Sequence, residues 1–194
     1  MIKLEITLRG RTPILMHNPQ LSDPDHPISA AISKITSKRK KTAEDRAEIG
    51  RLEFYGGIYL DEEGNVTVPV AAFRACFMEA GKITKKGLAV SRALVGVEQT
   101  TPLLYDGPRG VDALWEAGTF KSKLSVGVNN NRVMRVRPKF DPWEVSTSFF
   151  FNTAVLDLSE FTEIVEMSGV SSGLLDGRAL GFGRFNAEIK EIAL

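Results

Sequence analysis

G-L-L-D-G-R-A-L-G-F-G-R-F-N-A-E-I-K-E-I, residues 173–192, sets Gly173, Gly177, Gly181 and Gly183 within eleven positions and interleaves them with Arg178 and Arg184. It then alternates at Phe185, Ala187 and Ile189. Glycine lifts the steric bar to positive φ and lets another backbone come close, so such a loop can present N–H groups to an anion while the arginines supply charge. The same glycines can equally serve a helix-to-strand connection and nothing more. The alternation that follows predicts a closing strand over 184–192.

The amino terminus alternates in the same way. Ile2, Leu4, Ile6 and Leu8 oppose Lys3, Glu5, Thr7 and Arg9, a half-buried strand ended by Gly10 to Pro13. Met16 to Pro27 holds Pro19, Pro24, Pro27 and both histidines and reads as a loop. Ile28, Ala31, Ile32 and Ile35 fall at helical spacing, and a second helix is predicted from Thr42, whose hydroxyl can cap the N–H of Asp45, to Gly56-Gly57. Ile58–Leu60 and Val66–Val68 read as a short hairpin, Pro69 opens a helix over 70–81, Lys85–Val95 suggests another, and Pro102–Leu104 a short strand. Residues 120–128 and 133–140 alternate around a turn at Asn129-Asn130-Asn131, 144–153 is a further strand, and a helix over 159–169 starts at Ser159 as N-cap. With the insertions set aside, the order is first strand, helix 70–81, strand 120–128, strands 133–140 and 144–153, helix 159–169 and strand 184–192, the split β-α-β order of a ferredoxin-like fold. The expected class is therefore α+β: one domain, 1–194, with a ferredoxin-like or RNA-recognition-type antiparallel sheet, two backing helices and a mainly helical insertion over 16–57.

Composition is that of a soluble globule, 43% hydrophobic and 25% charged, without an apolar run near the roughly eighteen residues of a membrane span. The acid-bearing, alternating first residues are no secretory signal. One cysteine, Cys76, excludes an intramolecular disulfide and a cysteine zinc cluster, and points to a reducing, cytoplasmic setting. A net charge of +1 does not announce a nucleic-acid binder, yet basic residues gather at 34–41, 82–92 and 132–139, so a neutral total can hide a basic face.

Three pieces resemble the RAMP superfamily, RNA-recognition-fold proteins that form the backbone of CRISPR effector complexes or process guide RNA. They are the first strand, the strand-proline-helix stretch V-T-V-P-V-A-A-F-R-A-C-F-M-E-A at 66–80, and the glycine-rich G-R-A-L-G-F-G-R-F at 177–185. The resemblance implies a single-stranded RNA partner and side-by-side assembly along the strand or in a CRISPR-like complex. A free-standing relative, such as one encoded by a phage, is equally compatible. Gly181-Phe182-Gly183-Arg184-Phe185 also resembles the glycine and aromatic strand of RNA-recognition domains, where aromatics stack bases.

The leading expectation is non-catalytic binding of single-stranded RNA or DNA. Gly177, Gly181 and Gly183 would cradle phosphates, Arg178 and Arg184 would neutralise them, and Arg135, Arg137 and Lys139, sharing a face by period two, would extend the track. Two other classes stand beside it. His17 lies where a RAMP ribonuclease could carry a general base, making the chain an endoribonuclease. The near-neutral charge suits a structural or inhibitory platform for proteins, for example a phage factor acting on a host complex. Asp23, Asp25 and His26 form a weak metal signal, and neither a metal nor a cofactor is expected.

Overall fold

A computed structural model describes residues 1–128 and 131–193. The expected turn at Asn129-Asn130-Asn131 thus falls in part outside the described residues. In chain order the elements are β1 (Ile2–Gly10), β2 (Ile14–Leu15), α1 (Pro27–Thr36), α2 (Ala43–Gly57), β3 (Thr67–Pro69), α3 (Val70–Gly81), α4 (Gly87–Ala93) and β4 (Leu94–Gly96). There follow β5 (Thr100–Tyr105), α5 (Val111–Ala117), β6 (Lys121–Val128), β7 (Asn131–Phe140), β8 (Trp143–Phe151), α6 (Leu158–Ser171) and β9 (Phe185–Ile192). The class is α+β with antiparallel sheets. No helix among the described residues is long and apolar enough to cross a membrane. The chain divides into two compact units: Met1–Ile14 with Val66–Asp106 and Phe140–Leu194, and Leu15–Asn65 with Gly107–Lys139.

In the first unit the alternation of β1 becomes a half-buried central strand, because Leu4, Ile6 and Leu8 lose all exposure while their neighbours stay partly wet. β1 pairs antiparallel with β8 (Ile6↔Thr147) and with β9 (Ile6↔Ile189). The sheet runs β3-β5-β8-β1-β9, with β4 also on β8. Taken with α3 and α6, strands β1, β5, β8 and β9 have the ferredoxin-like spatial order, the second strand of that unit being β5. This corrects the expectation for residues 120–128, which form β6 in another sheet. Strict alternation specifies a strand but not its partner, while the true second strand, T-T-P-L-L-Y, is short and carries Pro102, which weakens its signal.

The buried face packs on α3 and α6 through aromatics. Phe151 stacks on Phe161 at 4.9 Å, Phe161 meets Phe77 edge-on at 5.9 Å, and Phe73 lies 6.3 Å from Phe149. Phe150 alone of the three adjacent phenylalanines turns to the other face, as a strand requires. Helix α6 is capped by Asp157, whose carboxylate accepts the Ser159 N–H at 2.8 Å, so the N-cap falls two residues before the expected Ser159. It approaches β9 closely at Gly169, where a β-carbon would lie 2.2 Å from the Phe185 carbonyl oxygen.

In the second unit α2 starts with the expected cap, extended to a reciprocal box: Thr42 Oγ1 accepts from Asp45 N and Asp45 Oδ2 from Thr42 N, each at 3.1 Å. The Lys38 ammonium and that cap hold the Asp45 carboxyl below its ordinary range. A short sheet runs β2-β7-β6, with β6 and β7 in register from Lys121↔Pro138 to Val128↔Asn131. Phe54 of α2 packs edge-on against Trp115 of α5 at 5.4 Å, and Lys121 Nζ sits 3.9 Å over the Trp115 ring.

Candidate nucleic-acid interface

The glycine-rich connection joins α6 to β9 through a short 3-10 turn at Arg178–Leu180, with Gly177 (φ 72°) and Gly181 (φ 86°) in left-handed conformations on either side. Gly183 follows at φ 69°. Gly181 and Gly183 do not offer their N–H groups to the expected cradle. The Gly181 N–H donates to the Arg178 carbonyl at 3.1 Å and the Gly183 N–H to the Pro13 carbonyl at 2.8 Å. Both donors are satisfied inside the protein. Gly183 serves close approach: a β-carbon there would lie 2.1 Å from the Leu174 carbonyl oxygen, whereas at Gly181 it would meet nothing within 4 Å. Thr12 pins the loop, donating through Oγ1 to the Gly181 carbonyl at 2.8 Å and accepting the Arg184 N–H at 3.0 Å. Gly181→Val should accordingly cost only backbone strain, about 1–2 kcal/mol. Urea unfolding of that variant checks this, and a destabilisation well above that range would mean that Gly181 is packed.

What the loop does present is its two arginines. Arg178 and Arg184 line a cavity of about 460 Å³ together with Ser171, Ser172, Ile83 and Glu79. Arg184 Nη2 donates to the Arg178 carbonyl at 3.2 Å, while its Nη1 is buried without a hydrogen-bond partner among the described residues. The cavity's one carboxylate among the described residues, Glu79, is paired with Lys82 at 2.5 Å, and that ammonium, helped by Arg178, holds the carboxyl below its usual range. The balance is positive. The two arginines lie at the carboxyl end of α6, where cations are favoured by the helix dipole. That role explains their charge but not a guanidinium nitrogen buried without an acceptor, a state that costs about 1–3 kcal/mol unless something supplies one.

The hairpin residues belong to the second unit, and the open basic stripe expected of Arg135, Arg137 and Lys139 is absent. Arg137 is only 8% exposed, and Val136 on the opposite face is buried too. Period two does put Arg135 and Arg137 on one face, but that face is walled by the helical segment. Arg135 Nη1 binds Glu53 Oε1 at 2.5 Å, and the other carboxylate oxygen accepts the Val136 N–H at 2.8 Å. Glu53 thereby caps β7 on the edge that the two-residue β2 covers only in part. Lys139 donates its backbone N–H to the Phe120 carbonyl at 2.7 Å, and its side chain is half-buried.

His17 lines a cavity of about 440 Å³ with Arg135, Arg137 and Glu53, so three candidate residues that the sequence scatters do meet. The Tyr59 hydroxyl donates to the His17 backbone carbonyl at 3.1 Å. His26 caps α1 through Nδ1, and the Asp23 carboxylate accepts the Asp25 N–H at 3.0 Å, an ordinary turn. Among the described residues no three His, Cys, Asp or Glu side chains are grouped to hold a metal ion. Cys76 is buried, donates to the Gly173 carbonyl at 3.1 Å, and has its thiol pushed up to about 11 by burial, so it is a poor nucleophile. Phe185 is 2% exposed, which removes it as a base-stacking platform. On the outer sheet face Arg9 pairs with Glu144 and Glu188.

Ser171, Ser172, Thr12 and Glu53 do not stand out in the sequence as site residues. Only Glu53 leaves a trace, an acid falling with Gly50 and Gly57 on one helix face. Compared with known proteins, the sequence matches no family model and no curated protein.

Proposed function

We propose that the protein binds single-stranded nucleic acid, RNA or DNA, through its phosphates and without cleaving it, the Arg178 and Arg184 cavity being the principal contact. The two guanidinium groups of Arg178 and Arg184 on one cavity lining carry this reading, because a guanidinium fork suits phosphate. The exposed lip of Ser171 adds a hydroxyl, and Glu79 is already neutralised by Lys82. With Phe185 buried and the contacts made by guanidinium groups to phosphate, the proposed binding is largely electrostatic and tolerant of sequence. The ferredoxin-like strand order is compatible with the resemblance to RAMP proteins, and side-by-side assembly along a strand belongs to the same proposal. In filter binding at about 0.1 M salt, Arg178→Ala/Arg184→Ala should weaken single-stranded RNA and DNA alike, by roughly tenfold or more. Unchanged affinity in a folded double variant would favour the platform reading instead.

One observation favours a second reading. His17 shares its cavity with Arg135 and Arg137, so an imidazole lies near guanidinium groups that could hold a scissile phosphate. Metal-independent cleavage of single-stranded RNA that disappears in His17→Ala would establish it.

A further inference from the structure

The sheet of the first unit ends on β9, an edge strand with β1 on one side and, among the described residues, no strand on the other. Such an edge is a template for a further strand. Gly10 lies opposite Phe185, and the Arg11 N–H donates to the Arg184 carbonyl at 2.7 Å, so these two residues extend the same ladder as a hydrogen-bonded pair. Along an antiparallel strand the backbone groups of successive residues turn to alternate sides. Asn186, Glu188 and Lys190 therefore turn theirs to β1, while Ala187, Ile189 and Glu191 turn theirs outward. At Phe185 the edge is closed by α6, where a β-carbon on Gly169 would lie 2.2 Å from the Phe185 carbonyl oxygen. The open stretch is thus centred on Ile189. On the α6 side of it Leu158, Ala187 and Ile189 line a recess of about 270 Å³ together with Thr162, Glu166 and Glu191. On the outer face the Glu188 and Lys190 side chains pair at 2.9 Å and are 39% and 60% exposed.

We infer that this edge pairs with the same edge of a second copy of the chain, antiparallel and with the two-fold axis at Ile189. In that register Ile189 faces its own counterpart and Ala187 faces Glu191 of the second copy, so all three outward residues find backbone partners. The same register sets Glu188 opposite Lys190 on both sides of the axis. Moving the axis one residue either way brings Glu188 against Glu188 or Lys190 against Lys190, and like charges directly opposite repel. The extent of the open edge and the order of its charges thus select one register independently. Charges that guard the edge against other strands become complementary only to its own copy. On the inner side Ile189 of the second copy meets the apolar part of the recess, while its Glu191 comes to Ala187, on the groove that Glu166 lines. Those carboxylates repel and keep the pairing weak and reversible. Because the axis relates identical surfaces, assembly closes at the dimer. The inference goes beyond the strand-binding reading and uses neither Arg178 nor Arg184.

The test is sedimentation equilibrium of the full chain, without nucleic acid, at about 0.01–0.2 mM, where weak pairing is populated. The parent should show a monomer–dimer equilibrium and no larger species. Glu188→Lys and Lys190→Glu, both on the exposed outer face, should each weaken the homodimer by about tenfold or more, because two cross-strand attractions become repulsions. An equimolar mixture of the two variants should restore a dimer about as tight as the parent's, since each supplies the charges that the other lacks. Circular dichroism confirms that both variants are folded. A parent that stays monomeric throughout that range would overturn the inference and leave the edge to a strand of another protein or to solvent. A dimer indifferent to both variants, or a mixture that pairs no better than either variant alone, would overturn it as well.

Discussion

Gly183→Ala is expected to lower the stability of the protein by about 2–5 kcal/mol, a large share of the total of a typical domain. Two effects add. At φ 69° an alanine is held in a left-handed conformation that L side chains resist, and its β-carbon would fall 2.1 Å from the Leu174 carbonyl oxygen and 2.9 Å from the Leu174 nitrogen. Neither neighbour is the end of a flexible side chain. The Gly183 carbonyl accepts the Leu174 N–H at 2.9 Å, so moving either backbone breaks a bond that ties the connection to β9. Gly181→Ala provides the control, since its left-handed φ of 86° is shared but no atom lies within 4 Å of the added carbon. Urea unfolding of both variants separates strain from collision. Equal destabilisation of the two would show that the close approach at Gly183 contributes nothing.

Glu53→Ala is expected to cost about 3 kcal/mol, the lower end of the range for removing one partner of a buried ion pair. Glu53 is 3% exposed, and its removal strands both the Arg135 guanidinium and the Val136 N–H inside the second unit. The Arg135 side chain is 30% exposed and can turn partly to water, which holds the effect to that lower end. Glu53→Gln should be milder, because an amide oxygen can still accept from Val136 N. Replacing Glu53 and Arg135 together by leucine should recover only part of the stability, since the ion pair is then removed as a whole while the Val136 N–H still lacks its acceptor. Thermal or urea unfolding of the three variants measures this. A destabilisation below about 1 kcal/mol in Glu53→Ala would mean that water reaches the pair.

How much of the chain is legible in its sequence depends on the range of the interactions involved. β1, α3 and the Thr42 cap of α2 are set by neighbours within a few residues, through alternation, a proline before the first turn and an N-cap hydroxyl. The start of α6 is ambiguous by two residues because Asp157 and Ser159 are both good caps and only the carboxylate reaches the right N–H. β5 is too short to announce its place in the sheet, and the alternation of β6 is silent on which strand it joins, because nothing in a local pattern names a strand's partner. At the site, the loop arginines stand out by their spacing among glycines. The use of the Gly181 and Gly183 N–H groups does not, since that of Gly183 is taken by the Pro13 carbonyl, far away in sequence. Likewise the burial of Arg137 follows from helical packing over β7, which the period-two pattern cannot register.

The binding of single strands by the Arg178 and Arg184 cavity is tested most directly by the salt dependence of affinity for one unstructured RNA, measured for the parent and for the folded Arg178→Ala/Arg184→Ala variant. Removing one phosphate-neutralising arginine flattens the plot of log affinity against log salt by about 0.7 for a single strand, so the double variant should show a slope shallower by roughly 1.4 together with its weaker binding. Identical slopes and affinities in parent and variant would contradict phosphate binding at this cavity.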